Sequence, residues 1–443
     1  MDNLIHNKYV QFVSIFILFI CVNVYYITDD FYYDVRKHIK LSNGFGNGHS
    51  FTPFKYFSYY KGYFFPFIIN ILFRITVLFH TKLFTTYIVF SAAITSLFNT
   101  IIMPKIFFKT LNLSFTPTKI LLLVLMQIIF WGGYFVQPLG DIFAAYMLLL
   151  AILLLFADMK YSLIIAGFFI AVAINIRPSY QLCFYAFVIY LVVDFLKSKK
   201  AKKIIRFGIG ASIVLLPQFA LNVVSMKVIT PFVYVNSKPY NGASSVLLYH
   251  LSDGLKFVKY ETSIDEKRTN PQMFYGVSEY FKIIEAEKKF KSVGEWLTVV
   301  QQNFVAVTTI YSLHLFNALN QTHNQLYITN SFENGYILSL LNWLVISIAV
   351  IVLIINFEKI KSQKAFLFSA ICLFLIIAPV APTIVETRFL LPIHFLFYFA
   401  FVFFSYKQFV QKSFKFKILS VAFVTSILIL SVFLNEYNFR LLL

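Results

Sequence analysis

Apolar runs of about 15–21 residues recur near 9–27, 63–80, 83–103, 120–136, 142–157, 162–176, 179–196, 207–226, 336–356, 366–381, 389–405 and 418–434. Nothing constrains this chain more. Runs of that length match the hydrocarbon thickness of a bilayer at 1.5 Å per helical residue. They do not alternate as the strands of a membrane barrel would, and helices satisfy their own backbone polar groups in lipid. Only 13% of the 443 residues are charged and 59% are hydrophobic, against about 25% charged for a soluble domain. The expected fold class is therefore an all-α polytopic membrane protein. The first run lacks a small-x-small cleavage site and reads as a retained span rather than a signal peptide.

The net charge of +19 would point to nucleic acid in a soluble protein. Here it is accounted for by loops. Lys105, Lys109 and Lys119, then the run KSKKAKKIIR at 197–206, then Lys359, Lys361 and Lys364, then Lys407, Lys412, Lys415 and Lys417 occupy every second connection. The other connections carry QPLGD at 137–141, RPS at 177–179, a long segment at 227–335, and VETR at 385–388. The positive-inside rule places the lysine loops in the cytoplasm, against anionic lipid, and the others outside; no nucleic-acid partner is expected. Cys21, Cys183 and Cys372 all lie in apolar runs and read as packing residues, with no metal site expected.

This alternation forces a decision about 63–80, which contains Pro66 and Arg74. If the run does not span, but lies at the outer interface or re-enters, Asp29 and Asp30 join Asp141, Arg177 and Arg388 on one face. An arginine in hydrocarbon costs a few kcal/mol, and the non-spanning reading is adopted; a plain twelfth span is the competing view. The expectation is about eleven transmembrane helices plus outer-face interfacial or re-entrant helices. It divides the chain into 1–226 with a first outer loop at 28–82, an outer cap at 227–335 holding interfacial helices, and C-terminal helices at 336–443. His314 and His323 in the cap read as structural.

The outer face then gathers acids (Asp29, Asp30, Asp34, Asp141, Glu386) and cations (Arg36, Lys55, Lys61, Arg177, Arg388). Taken singly each has a plain reading: Asp141 as an acid favouring a helix N-terminus, Arg177-Pro178 as a snorkelling anchor, Glu386 and Arg388 as a surface pair. Taken together they fit glycosyl transfer from a lipid-phosphate sugar. One carboxylate takes the acceptor hydroxyl's proton, and cations stabilise a phosphate leaving group that needs no second acid.

Asp29-Asp30-Phe-Tyr-Tyr-Asp-Val-Arg36, Ser42-Asn43-Gly44-Phe45-Gly46 and Lys61-Gly62-Tyr63-Phe64-Phe65-Pro66 resemble the first outer loop of bacterial GT-C glycosyltransferases. Gln137-Pro138-Leu139-Gly140-Asp141 and Ala171-Val172-Ala173-Ile174-Asn175-Ile176-Arg177-Pro178 are similar to later motifs of those enzymes. So are Leu216-Pro217-Gln218 with Asn222 and Pro231, and Glu386-Thr387-Arg388-Phe389 with Pro392. The nearest likeness is to enzymes that glucosylate O-antigen and convert serotype, over roughly 10–240 and 330–405. The resemblance implies a GT-C-like fold in a bacterial inner membrane with a cytoplasmic N-terminus. It implies inverting transfer at the periplasmic face from a polyprenyl-phosphate sugar donor, with glucose favoured, to a lipid-linked polysaccharide acceptor. A donor-lipid synthase and a flippase are candidate partners, and no cofactor or metal is implied. Carried over by residue, Asp30 or Asp29 is the base and Asp141 helps place it or the acceptor. Lys61, Arg177, Arg388 and Arg36 are phosphate partners, and Glu386 faces the acceptor. An O-antigen polymerase or lipid-linked oligosaccharide flippase is the rival reading; a flippase should carry repeats and mid-span charges.

Overall fold

The computed structural model describes residues 8–27, 33–46, 61–105, 115–233, 243–262, 272–276, 289–326, 335–361, 364–404 and 406–440. Asp29 and Asp30 lie outside them, as does Lys55. The described chain is almost wholly helical, and seven of its helices are long and apolar enough to cross a membrane. They are Lys8–Tyr25, Leu83–Lys105, Pro117–Tyr134, Pro178–Ser198, Lys202–Met226, Gly335–Ile355 and Phe414–Asn438. Six further apolar helices are shorter, including the 15-residue Phe64–Leu78 formed by the run at 63–80.

The chain divides into two compact units, 1–234 with 361–373, and 235–360 with 374–443. In the first, α1 (Lys8–Tyr25) packs on α4 (Leu83–Leu97), and the short surface helix α2 (Tyr33–Ser42) packs on α3 (Phe64–Leu78). α5 (Pro117–Trp131) starts on a Thr116 cap with Pro117 in its first turn, a pairing that satisfies one orphan N–H and presets φ. α6 (Asp141–Leu155) is buried on nearly every side, the pattern of a helix packed inside a bundle rather than against lipid. It packs along α7 (Ser162–Ile176), which in turn lies on α9 (Lys202–Leu221). The α7–α9 crossing is close because glycines face it: a Cβ at Gly210 would fall 1.8 Å from the Ile164 carbonyl oxygen, and one at Gly167 2.1 Å from that of Phe207. Small residues at such crossings let helix backbones approach where no hydrophobic drive between helices exists. α8 (Gln181–Ser198) completes this part, the Cys183 thiol donating to the Cys372 carbonyl at 3.3 Å.

The second unit begins with α10 (Val246–Lys256), capped by Ser245, and a two-stranded antiparallel hairpin of β1 (Phe257–Thr262) and β2 (Gln272–Gly276). This hairpin departs from the all-helical expectation. α11 (Val293–Gln302) opens on a capping box: Ser292 accepts from the Glu295 amide at 3.2 Å, and Glu295 accepts from the Lys291 amide at 2.7 Å. α12 (Phe304–Leu319) is an apolar helix inside the 227–335 segment, where the sequence predicts interfacial helices only. α13 (Gly335–Ile355) packs against α15 (Leu391–Phe403) and the long α16 (Phe414–Arg440), and α14 (Lys364–Val380) precedes α15.

α12 ends inside the protein, and side chains from other elements cover its last carbonyls. His394 Nε2 meets the Ala318 oxygen at 3.2 Å, Asn342 Nδ2 donates to that of Leu319 at 2.6 Å, and the Thr387 hydroxyl reaches those of Asn317 and Asn320. Asn320 is tied to Asn435, Ser339 and Trp343, and Asn317 to Asn438 and the Val258 carbonyl. Buried helix ends need partners for their carbonyls, and α16 adds Asn435 and Asn438 as partners of the Asn320 and Asn317 side chains. His314 is structural as expected, its two ring nitrogens facing the Phe257 and Ala381 carbonyls at 2.7 and 2.6 Å.

On α10, burial holds His250 below its ordinary value of 6.5, with Lys289 pushing the same way and Asp253 opposing. The neutral imidazole is thus the form the fold favours. Its contribution is complete above pH 6.5 and declines as the pH falls below it, because the unfolded chain then binds the proton more readily. Thermal unfolding followed from pH 7.5 to 5 should show falling stability, and His250→Gln should flatten that slope.

Candidate functional site

In the first unit, three chain segments converge on the Lys61–Phe65 stretch. Gly62 sits directly on the end of α7, where a Cβ would lie 2.0 Å from the Asn175 carbonyl oxygen, so only glycine allows this approach. The first amides of α3 have no cap of their own. Asn175 and Gln218 supply it: Phe64 N donates to Asn175 Oδ1 at 2.8 Å, and Tyr63 N to Gln218 Oε1 at 3.3 Å. Asn175 Nδ2 also donates to Gln218 Oε1 at 2.9 Å, and Gln218 Nε2 donates to Asn222 Oδ1 at 2.8 Å. Asn222 opens a π-helical turn after α9 and donates to the Thr230 and Phe232 carbonyls, each at 2.7 Å. Polar side chains buried among apolar helices are stabilising only when satisfied, and this ladder is a frame of that kind. Its members are the asparagines and glutamine of the motifs quoted above.

The frame holds two ion pairs. Lys61 Nζ stands 3.7 Å from Asp34, which Lys37 also approaches at 3.4 Å, at the start of α2. Arg177, two residues beyond Asn175, pairs with Asp141, the first residue of α6. Asp141 is buried, with 7% of its side chain exposed against 18% for Arg177. An acid there also meets the positive end of the helix dipole. Phe65 links the two pairs, its ring 5.3 Å from that of His38 on α2 and packed against Gly140. The other end of α2 is held by Asn70 Nδ2, which donates to the Ser42 and Gly46 carbonyls, while Arg74 donates to Asn70 Oδ1 at 3.0 Å. Asp141 also lines a small cleft with Tyr87, Ser91, Gln137 and Tyr146. Its water-sized space of about 30 Å³ has room for a water or two.

Arg36 lies on the exposed face of α2, whose buried face is Val35, His38 and Ser42. In the second unit, Glu386 and Arg388 face each other: Arg388 Nη2 donates to Glu386 Oε1 at 3.0 Å, and Nε donates to Oε2. They form a pair, but a buried rather than a surface one, 7% and 6% exposed as residues. Sequence reasoning assigned them separate roles, toward phosphate and acceptor; the fork geometry commits each first to the other. Sequence reasoning also passed over Lys259, which is 3% exposed and donates to the Thr322 hydroxyl at 3.1 Å. It sits on β1, whose Tyr260 amide bonds the Val385 carbonyl at 3.0 Å, beside Glu386. Alternation along Phe257–Thr262 would place Lys259 on the solvent face, so no local signal marked its burial. Among the described residues no group of three or more His, Cys, Asp or Glu gathers as a metal site would require.

Comparison with protein-family models, curated proteins and solved structures found no match to this chain.

Proposed function

We propose that this protein is a membrane glycosyltransferase that moves a hexose, with glucose favoured, from a polyprenyl-phosphate donor to a lipid-linked polysaccharide at the periplasmic face. The observation that carries the reading is the Asn175–Gln218–Asn222 frame. It gathers Lys61, Arg177, Asp141 and Asp34, from segments spread over residues 34–177 of the sequence. The reaction requires a carboxylate to take the acceptor proton and cations to stabilise the leaving phosphate. In the proposed step a carboxylate, Asp30 or Asp29, takes the proton of an acceptor hydroxyl as its oxygen forms a bond to the anomeric carbon. The bond from that carbon to the phosphate oxygen breaks on the opposite face, inverting the centre. The electron pair leaves with the lipid phosphate, whose charge Lys61 and Arg177 stabilise. Arg36 is the further cation of the scheme.

Transfer in proteoliposomes, from purified polyprenyl-phosphate-glucose to a lipid-linked polysaccharide, tests this directly. Loss of the base should lower transfer by about 100-fold or more, so one of Asp29→Asn and Asp30→Asn is expected to fall that far. Full transfer by both variants would remove the carboxylate base from the mechanism. No transfer by the wild-type protein would favour the polymerase or flippase reading.

A further inference from the structure

One buried hydroxyl within electrostatic reach of the Asp141–Arg177 pair has no hydrogen-bond partner among the described residues. Tyr180 closes the 3₁₀ turn that follows Arg177, its amide donating to the Arg177 carbonyl at 3.0 Å. The residue is 1% exposed, and its phenolic oxygen has no hydrogen-bond partner among the described residues. It nonetheless lies within electrostatic reach of both Arg177 and Asp141. The other buried phenol within reach of Asp141, that of Tyr87, already donates to the Gln137 carbonyl at 3.1 Å. Leaving a buried hydroxyl unsatisfied costs stability, so its presence calls for a state of the protein in which it is satisfied.

The ion pair itself defines such a state. Arg177 can engage a phosphate only by giving up part of its hold on Asp141, and a buried carboxylate whose partner is drawn away is strongly destabilised. We propose that Tyr180 is the positioning residue for this exchange. When an anionic phosphate ester takes Arg177, the Tyr180 hydroxyl donates to the Asp141 carboxylate in its place. This rests on the reading of Arg177 as a phosphate partner and adds to it the device that makes the arginine available. Pro178 presets the backbone of the turn, so the Tyr180 ring keeps its place while the arginine side chain moves.

Tyr180→Phe removes only the oxygen and gives two opposite signs. Thermal unfolding of the ligand-free variant in detergent should occur at or slightly above the wild-type temperature, because no bond is lost. Binding of a short-chain polyprenyl phosphate, measured by calorimetry at fixed ionic strength, should weaken about tenfold, the effect of one hydrogen bond to a charged group. In an Asp141→Asn background the carboxylate charge is gone, and adding Tyr180→Phe should change affinity no further. If that double variant does not accumulate, the opposed signs of the single variant still decide. A lowered melting temperature would mark Tyr180 as merely structural. Unchanged affinity in Tyr180→Phe, or a tenfold loss that persists in the Asp141→Asn background, overturns the exchange and leaves Arg177 as a phosphate partner. Absence of any binding by the wild-type protein overturns both.

Discussion

Asp141→Ala is expected to lower folding stability by about 3 kcal/mol, the lower end of the range for breaking a buried ion pair, because Arg177 keeps some contact with solvent. The loss arises from the stranded guanidinium more than from the missing attraction. Replacing both partners should therefore be far milder than replacing one: Asp141→Leu with Arg177→Met exchanges two desolvated charges for apolar volume and is expected to melt close to wild type. Thermal unfolding in detergent checks the order of the three proteins. The transfer assay then separates fold from chemistry. Under the proposed function the double variant folds and fails to transfer, since the phosphate has lost its arginine. A double variant that both folds and transfers at the wild-type rate would reduce the pair to scaffolding.

Gly210→Ala should be at least as damaging, although it adds a single methyl group. The new carbon would overlap the Ile164 backbone carbonyl at 1.8 Å, and backbone cannot rotate aside as a side chain can. The α7–α9 crossing must open, at a cost of about 3 kcal/mol or more, the upper range for overpacked sites. Opening it also separates Asn175 on α7 from Gln218 on α9, which bond each other at 2.9 Å and each accept from one of the first amides of α3. Folded yield and melting temperature are the direct readouts. Gly208 on the same helix has open space around its Cβ position, so Gly208→Ala serves as the control and is expected to be neutral or slightly stabilising.

Much of this fold was legible in the sequence because hydropathy is a local property. The runs at 9–27 and 336–356 became Lys8–Tyr25 and Gly335–Ile355 almost residue for residue. α12 was not legible, since FVAVTTIYSLHLFNAL is diluted by hydroxyls, a histidine and an asparagine. Those groups are matched by distant partners, His314 by two carbonyls and Asn317 by Val258, and no local window reports that. The runs at 142–157 and 162–176 became α6 and α7, which at 15 residues each are shorter than the seven helices long enough to cross a membrane. In the site, residue types were readable and partners were not. Asp141 and Arg177 were singled out but given separate tasks, and Glu386 and Arg388 likewise. Tyr180 carried no signal at all, because an unsatisfied hydroxyl is a property of its surroundings.

The buried end of α12 sets an order in time. Asn435 and Asn438, which hold Asn320 and Asn317, lie within the last nine residues of the chain. During synthesis, α12 is therefore complete more than a hundred residues before these two partners of its terminal asparagines exist. Through that interval the side-chain oxygen of Asn317 and the side-chain nitrogen of Asn320 must find water or a temporary partner. The second unit can reach its final packing only after α16 has been made.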